Sequence, residues 1–323
     1  MSIPDVKEKW SGRVNVVTIG ATAAEGGTRG RTVAIGGAGG IPFLSFDGPM
    51  AHPPTIAIDV LDKQPVGWPK PLEEAYGDVW ADPVLWARRA KELGADLINL
   101  RLTGIHPDEG DWPASKAVEI VKAVLEAVDL PIIIWGCDVP EKDQRVMPKV
   151  AEAAQGERCL LGAVTQTEYR TLTAAAQAYG HKLIAASPCD INIAKQVNIL
   201  VTDMGYPLTD IVIYPSTAAL GYGMEYIYSI LERGRLAALS GDKLMAQPVI
   251  LDVGFEAWRV KEARATEEMD EAWGPLSCRG PVWEAVTATD LLQGGADLLI
   301  MRHPEAIRAV RETGELLVQG DGK

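Results

Sequence analysis

The chain has 323 residues and a formal net charge of −13, with 47% apolar and 23% charged side chains. That mixture suits a soluble globular protein large enough to bury a core without disulfide staples. The acidic balance argues against nucleic acid or an anionic membrane as a partner.

The N-terminus, MSIPDVKEKW, is charged and lacks the apolar stretch of a signal peptide. No apolar run approaches the ~20 residues needed to span a bilayer, so a cytoplasmic location is expected. The four cysteines, Cys137, Cys159, Cys189 and Cys278, stand far apart with no C-x-x-C pair. They carry no zinc or iron–sulfur signature and read as free thiols in a reducing compartment.

Two short β-like runs come first, VNVVTIGA (14–21) and RTVAIGGA (31–38), around the turn-rich AAEGGTRG. They predict a hairpin, an N-terminal extension over residues 1–54 that caps or plugs the remainder of the chain. From residue 55 apolar runs alternate with amphipathic helical patterns. The predicted strands are 55–60, 96–101, 131–136, 159–164, 182–187, 210–215, 248–254 and 297–302. Helical patterns lie at 83–94, 115–128, 139–154, 168–180, 190–205, 224–239 and 281–295. Glycines 94, 180 and 205 fit helix C-caps, and Pro148 predicts a kink or break in the third helix.

The strand runs show little alternation, which indicates burial on both faces and a parallel sheet. Eight β–α units over roughly 250 residues match a (β/α)8 TIM barrel, here residues 55–323. A doubly wound open sheet is the runner-up, without a visible switch point. In a barrel, function collects where the strands end. The candidates there are Asp59, Asn99, Arg101, Asp138, Gln166, Ser187, Asp190, Asn192, Tyr214, Ser216 and Arg302, a rim that reads as polar rather than charged.

The sixth βα loop, YPSTAALGYGMEY (214–226), resembles a phosphate loop, but Gly221 and Gly223 lack the third glycine of G-x-G-x-x-G and no lysine or arginine is present. A long loop with tolerated glycines is the plainer reading. In SPCDINIAKQVNIL (187–200), Asp190 predicts a helix N-cap, and Cys189 has no local base to make it a nucleophile. His52, His106, His181 and His303 are not at metal-ligand spacing and read as structural. Glu225 and Glu284 lie near predicted helix starts, where dipole compensation accounts for them. The residues themselves show no catalytic constellation and no metal site.

Longer stretches are more specific. SPCDINIAKQVNIL, YPSTAALGYGMEYIYSILERGRLAAL, GFEAWRVKEA and RGPVWEAVTATDLLQGGADLLIMRHPEA, with TRGRTVAIGG and the D-V-L-D at 59–62, resemble the small subunit of the corrinoid iron–sulfur protein, the delta subunit family of acetyl-CoA decarbonylase/synthase. The resemblance implies a TIM barrel paired with a large subunit that carries a [4Fe-4S] cluster and a cobalamin-type corrinoid domain. It implies that the corrinoid lies between that domain and the barrel top. A methyltetrahydrofolate:corrinoid methyltransferase would methylate the cobalt, and acetyl-CoA synthase would receive the methyl group in the reductive acetyl-CoA (Wood–Ljungdahl) pathway of carbon fixation. The small subunit would not be the catalyst of either transfer. On rim position, the expected corrinoid contacts are Asn99, Asp138, Gln166, Ser187, Asn192, Tyr214, Ser216, Thr217, Leu220, Gly221, Tyr222, Gly223 and Arg302. The alternative is a free-standing pterin-dependent methyltransferase barrel using Asn99, Asp138 and Asn192.

Overall fold

Alternation hidden inside apparently continuous apolar runs organises the molecule. The structure, a computed structural model, describes residues 8–44, 46–217, 223–266 and 271–319. Eight parallel strands, β3 (Thr55–Leu61), β4 (Leu97–Arg101), β5 (Ile132–Trp135), β6 (Leu160–Val164), β7 (Lys182–Ala186), β8 (Ile211–Tyr214), β9 (Ile250–Asp252) and β10 (Leu298–Met301), form one sheet in the order β8-β7-β6-β5-β4-β3-β10-β9. A single bridge, Ile213 to Val249, joins its two ends, and the Ile213 N–H donates to the Pro248 carbonyl at 2.8 Å. This is the expected TIM barrel, and all eight predicted strands are present.

Side chains two apart share a face of a strand. Ile56, Ile58 and Val60 pack outward against helices, as do Ile98 and Leu100. Ala57, Leu97, Ile133, Leu160, Val212 and Leu298 fill the interior. The hairpin of β1 (Val16–Ile19) and β2 (Val33–Gly36) is antiparallel. It adds Val17, Ile19, Val33 and Ile35 to that same interior cluster, so the hairpin closes the N-terminal end of the barrel. Arg29 fastens it there. Its guanidinium donates to Glu157 and to the Val128, Leu130 and Leu125 carbonyls at 2.6–3.2 Å.

The helices are α1 (Lys70–Tyr76), α2 (Pro83–Glu92), α3 (Ala114–Ala127), α4 (Pro140–Ala153), α5 (Arg170–Tyr179), α6 (Ile191–Asp203), α7 (Met224–Leu239), the short α8 (Val253–Ala257) and α9 (Lys261–Arg264), α10 (Leu276–Gly294) and α11 (Pro304–Gln319). Glycines 94, 180 and 205 take left-handed φ values just past their helices, as predicted. Pro148 sits inside α4, which runs unbroken through it. Helix α10 begins five residues before the predicted start and carries Pro281 inside it. Helix α11 was not predicted. Its short apolar stripe, Ala306, Ile307 and Val310, packs into the outer core. Among the described residues, no helix is long and apolar enough to cross a membrane.

Candidate functional site at the barrel mouth

The inward faces of β3, β4, β9 and β10 change character toward their C-terminal ends. Below are Ala57, Leu97 and Leu298; above are Asp59, Asn99, Arg101, Asp252 and Arg302, all buried. The Asp59 carboxylate accepts from Asn99 Nδ2 at 2.7 Å, Arg101 Nε at 3.3 Å, and Arg302 Nε and Nη2 at 2.9 and 2.8 Å. Arg101 Nη2 also donates to Asp252. Two carboxylates and two guanidinium groups therefore close a neutral quartet across the barrel. Burial is the largest influence on Asp59 and pushes its carboxyl up, but Arg101 and Arg302 together outweigh it and hold it below the usual range. Asp252 goes the other way: burial, with Asp59 close by, raises it against the pull of Arg101.

The guanidinium groups also stack. Arg302 lies 4.6 Å from the Trp68 ring centre and 5.6 Å from Phe255. Arg101 lies 5.5 Å from Phe255 and 5.3 Å from Trp135, and Trp135 meets Tyr214 edge to face at 5.1 Å. The result is an alternating row, Trp68–Arg302–Phe255–Arg101–Trp135–Tyr214, across the mouth. On one side is a hollow of about 240 Å³ lined by Arg101, Trp135, Asp138, Asp143, Tyr214, Asp252 and Phe255 among others. On the other is one of about 550 Å³ lined by Lys63, Trp68, Asp138, Phe255 and Arg302 among others. Phe255 and Arg101 border both.

The backbone of Arg302 is clamped from two sides. Glu284 Oε1 accepts from the Arg302 N–H at 2.6 Å, and Oε2 accepts from the His303 N–H and Trp258 Nε1 at 3.0 and 2.7 Å. The Tyr76 hydroxyl donates to the Arg302 carbonyl. Burial pushes the Glu284 carboxyl up to about 7 against those three donors. Glu284 thus lies inside α10, fully buried, and not at a helix start as the sequence predicted; Glu225 is in the first turn of α7, as expected.

The predicted contact residues separate into groups. Asp138 lines both hollows, with a left-handed φ and a bond from Trp135 Nε1 at 3.2 Å. Tyr214 lines the smaller hollow and Arg302 the larger. Asn99 is fully buried beneath Arg101, and its Oδ1, like Ser187 Oγ, has no hydrogen-bond partner among the described residues. Thr217 is buried and donates to the Asp252 carbonyl at 2.9 Å. Ser216 is half-buried with φ 68°, and Gly223 precedes α7 with φ 137°. Gln166 and Asn192 are exposed and line neither hollow. Leu220, Gly221 and Tyr222 lie outside the described residues.

Asp190 caps α6 by accepting from the Asn192 and Ile193 N–H groups, and His181 and His303 are buried and hydrogen-bonded. The sequence reading missed Asp252, Trp135 and Phe255, and with them the charge of the mouth, which is not merely polar. Burial, then Asp143, pushes the Cys137 thiol up to about 12, which keeps it protonated at neutral pH and a poor nucleophile. The mouth offers stacking faces, amide and hydroxyl partners and fixed, internally balanced charge.

Residues 16–312 match the family model of the CO dehydrogenase/acetyl-CoA synthase delta subunit. The chain belongs to this delta-subunit family. Among its relatives, acetyl-CoA decarbonylase/synthase complex subunit delta of Archaeoglobus fulgidus is 40% identical over 95% of this chain and 69% of its own length. The subunit delta of Methanopyrus kandleri is 41% identical over 96% and 76%. The resemblance read from the rim motifs is therefore correct. In fold, the delta-family chain is similar to dihydropteroate synthases. One from Xanthomonas albilineans, in complex with indole-2-carboxylic acid and 6-chloroguanine, has a TM-score of 0.56 at 15% identity, covering 85% of this chain and 97% of the other. One from Coxiella burnetii, in complex with pteroic acid, has a TM-score of 0.57 at 11% identity over 85% and 98%. At such identities the likeness concerns the barrel alone.

Proposed function

We propose that this chain is the small subunit of a heterodimeric corrinoid methyl carrier, and that its barrel mouth caps a cobalamin-type corrinoid held by a large subunit with a [4Fe-4S] cluster. Family membership supports the complex, and the aromatic–guanidinium row supports the cap. Pockets that engulf a drug-sized ligand span about 300–1,000 Å³. The two mouth hollows, at about 240 and 550 Å³, fall below and in the lower half of that range, and a corrinoid is larger than a drug-sized ligand. A macrocycle would therefore be met by one face, resting on Phe255 and its neighbours, and not swallowed.

The residues present fit such a group. Tyr214, Asp138 and Ser187 offer polar partners for amide side arms; Ser187 Oγ and Asn99 Oδ1 are buried acceptors with capacity left. Ser216, Thr217 and Gly223 would border the ring, with Gln166 and Asn192 as outer contacts and Arg302 fixed beneath. When bound, the corrinoid supplies the cobalt that carries the methyl group. This chain's residues would orient the ring and keep water from it. The further partners are the methyltetrahydrofolate:corrinoid methyltransferase and acetyl-CoA synthase. On this reading residues 1–54 serve as a supporting extension and residues 55–323 as the functional barrel.

A pterin-dependent methyltransferase is the competing reading. It would use Asn99, Asp138 and Asn192, and it is disfavoured because Asn99 is fully buried with its Nδ2 held by Asp59, while Asn192 is exposed and lines neither hollow. Anaerobic purification of the tagged chain, with subunit masses and metal analysis on one sample, tests the proposal. A larger chain should co-elute, with cobalt and about four irons per pair. A lone, metal-free chain that binds methyltetrahydrofolate would overturn it.

A further inference from the structure

Helix α10 is apolar on two faces. Its inner face, Ala288, Leu291 and Leu292, belongs to the core. Its outer face carries Val282, Trp283 and Val286, which are 58%, 42% and 56% exposed. A barrel helix that meets only water presents polar side chains outward, and contiguous exposed apolar surface marks an interaction site. These side chains line a groove of about 740 Å³ whose other walls include Met224 at the start of α7, Trp273, and Ala257 and Val260 of the α8–α9 segment.

The groove's charge is one-sided. Glu256, Glu262 and Asp290 border it against one cation, Arg279. Glu262 and Asp290 have no ion-pair partner among the described residues. Arg279 Nη2 donates to the Ala265 carbonyl at 2.6 Å, while its Nε and Nη1 are buried with no hydrogen-bond partner among the described residues. The groove therefore asks for apolar side chains, basic flanks and a backbone acceptor. It is also rigid. Glu284 ties α10 to Trp258 and to the end of β10, and Gly280 lets α10 lie directly on the Trp258 ring, where a Cβ would collide. Segment 253–264 is a shared wall: Phe255 and Arg259 face the mouth, Ala257 and Val260 the groove.

We propose that this groove seats an apolar, basically flanked segment of the large subunit and thereby anchors that subunit beside the mouth it serves. This rests on the heterodimer reading above and adds the place and chemistry of the contact. The test is titration of purified large subunit into the purified chain at low and high salt, with the fold of each variant checked by its melting temperature.

Trp283→Ala with Val286→Asp should weaken binding at least about tenfold, as loss of a central aromatic anchor does. Glu262→Lys with Asp290→Lys should weaken it mainly at low salt. Leu85→Asp, on exposed α2 away from the groove, should bind as the unaltered chain does. Groove variants that bind unchanged would overturn this inference and leave the heterodimer standing. No binding by the unaltered chain would overturn the heterodimer itself. Dissociation of a self-dimer by Val286→Asp, with affinity for the large subunit intact, would assign the groove to a second copy and also overturn the inference.

Discussion

Asp59 shows how one residue can set the character of a site. It is fully buried, yet the two guanidinium groups it bridges keep its carboxyl ionised. Removing it strands positive charge in the interior, with Asp252 alone to balance Arg101 and Arg302. Asp59→Ala should therefore destabilise the chain by about 3–5 kcal/mol, measured by urea unfolding. Glu284 makes a contrasting prediction. Its carboxyl sits at about 7 in the folded chain and at the ordinary 4.5 when unfolded. Between those values the folded state holds the extra proton, so stability falls as pH rises from about 4.5 to 7, by up to roughly 3 kcal/mol, and is flat beyond. Glu284→Gln should remove that slope relative to the unaltered chain. It should also cost about 1–3 kcal/mol throughout, because an amide NH2 would confront one of three N–H donors. Unfolding series at several pH values read both effects.

At the scale of elements, the hairpin is a plug whose apolar face is supplemented by the bonds of one buried side chain. Arg29 is 3% exposed and satisfies three carbonyls and a carboxylate at the bottom of the barrel. Arg29→Ala should cost about 3–5 kcal/mol. Arg29→Lys should recover little, since one ammonium group cannot span acceptors arranged for a planar fork. Thermal unfolding with hydrogen exchange on residues 14–38 checks both. This scale was the most legible in the sequence. Each barrel strand announced itself as a mostly apolar run such as PIIIWG, because burial on both faces leaves few polar residues to blur it. Helix α11 escaped because only Ala306, Ile307 and Val310 mark its inner face, and α10 began early because Pro281 resembles a first-turn residue. The mouth was less legible for a different reason. Asp59, Arg101 and Arg302 could be placed at strand ends, but their mutual pairing joins residues as many as 243 positions apart. Asp252, in PVILDVG, looked like one polar residue in a strand until ring closure set it against Arg101. Glu284 looked like a helix-start acid because its helix was read as starting at 281.

For the whole molecule, the ring of strands is not uniformly stitched. Seven of the eight neighbouring pairs share ladders of several residues, whereas β8 and β9 share one bridge and the bond from Ile213 to Pro248. That seam lies between the strand that leads to Tyr214 and the strand that ends in Asp252 and leads into Phe255. The loops after those two strands also lead to α7 and to the α8–α10 segment, the walls of the outer groove. Opening the barrel elsewhere means breaking a backbone ladder; opening it here means breaking one bridge, the bond from Ile213 to Pro248 and, above them, the bond from Thr217 to Asp252. The sparsest joint of the ring thus falls between the two strands that supply one side of the mouth and lead to both walls of the groove.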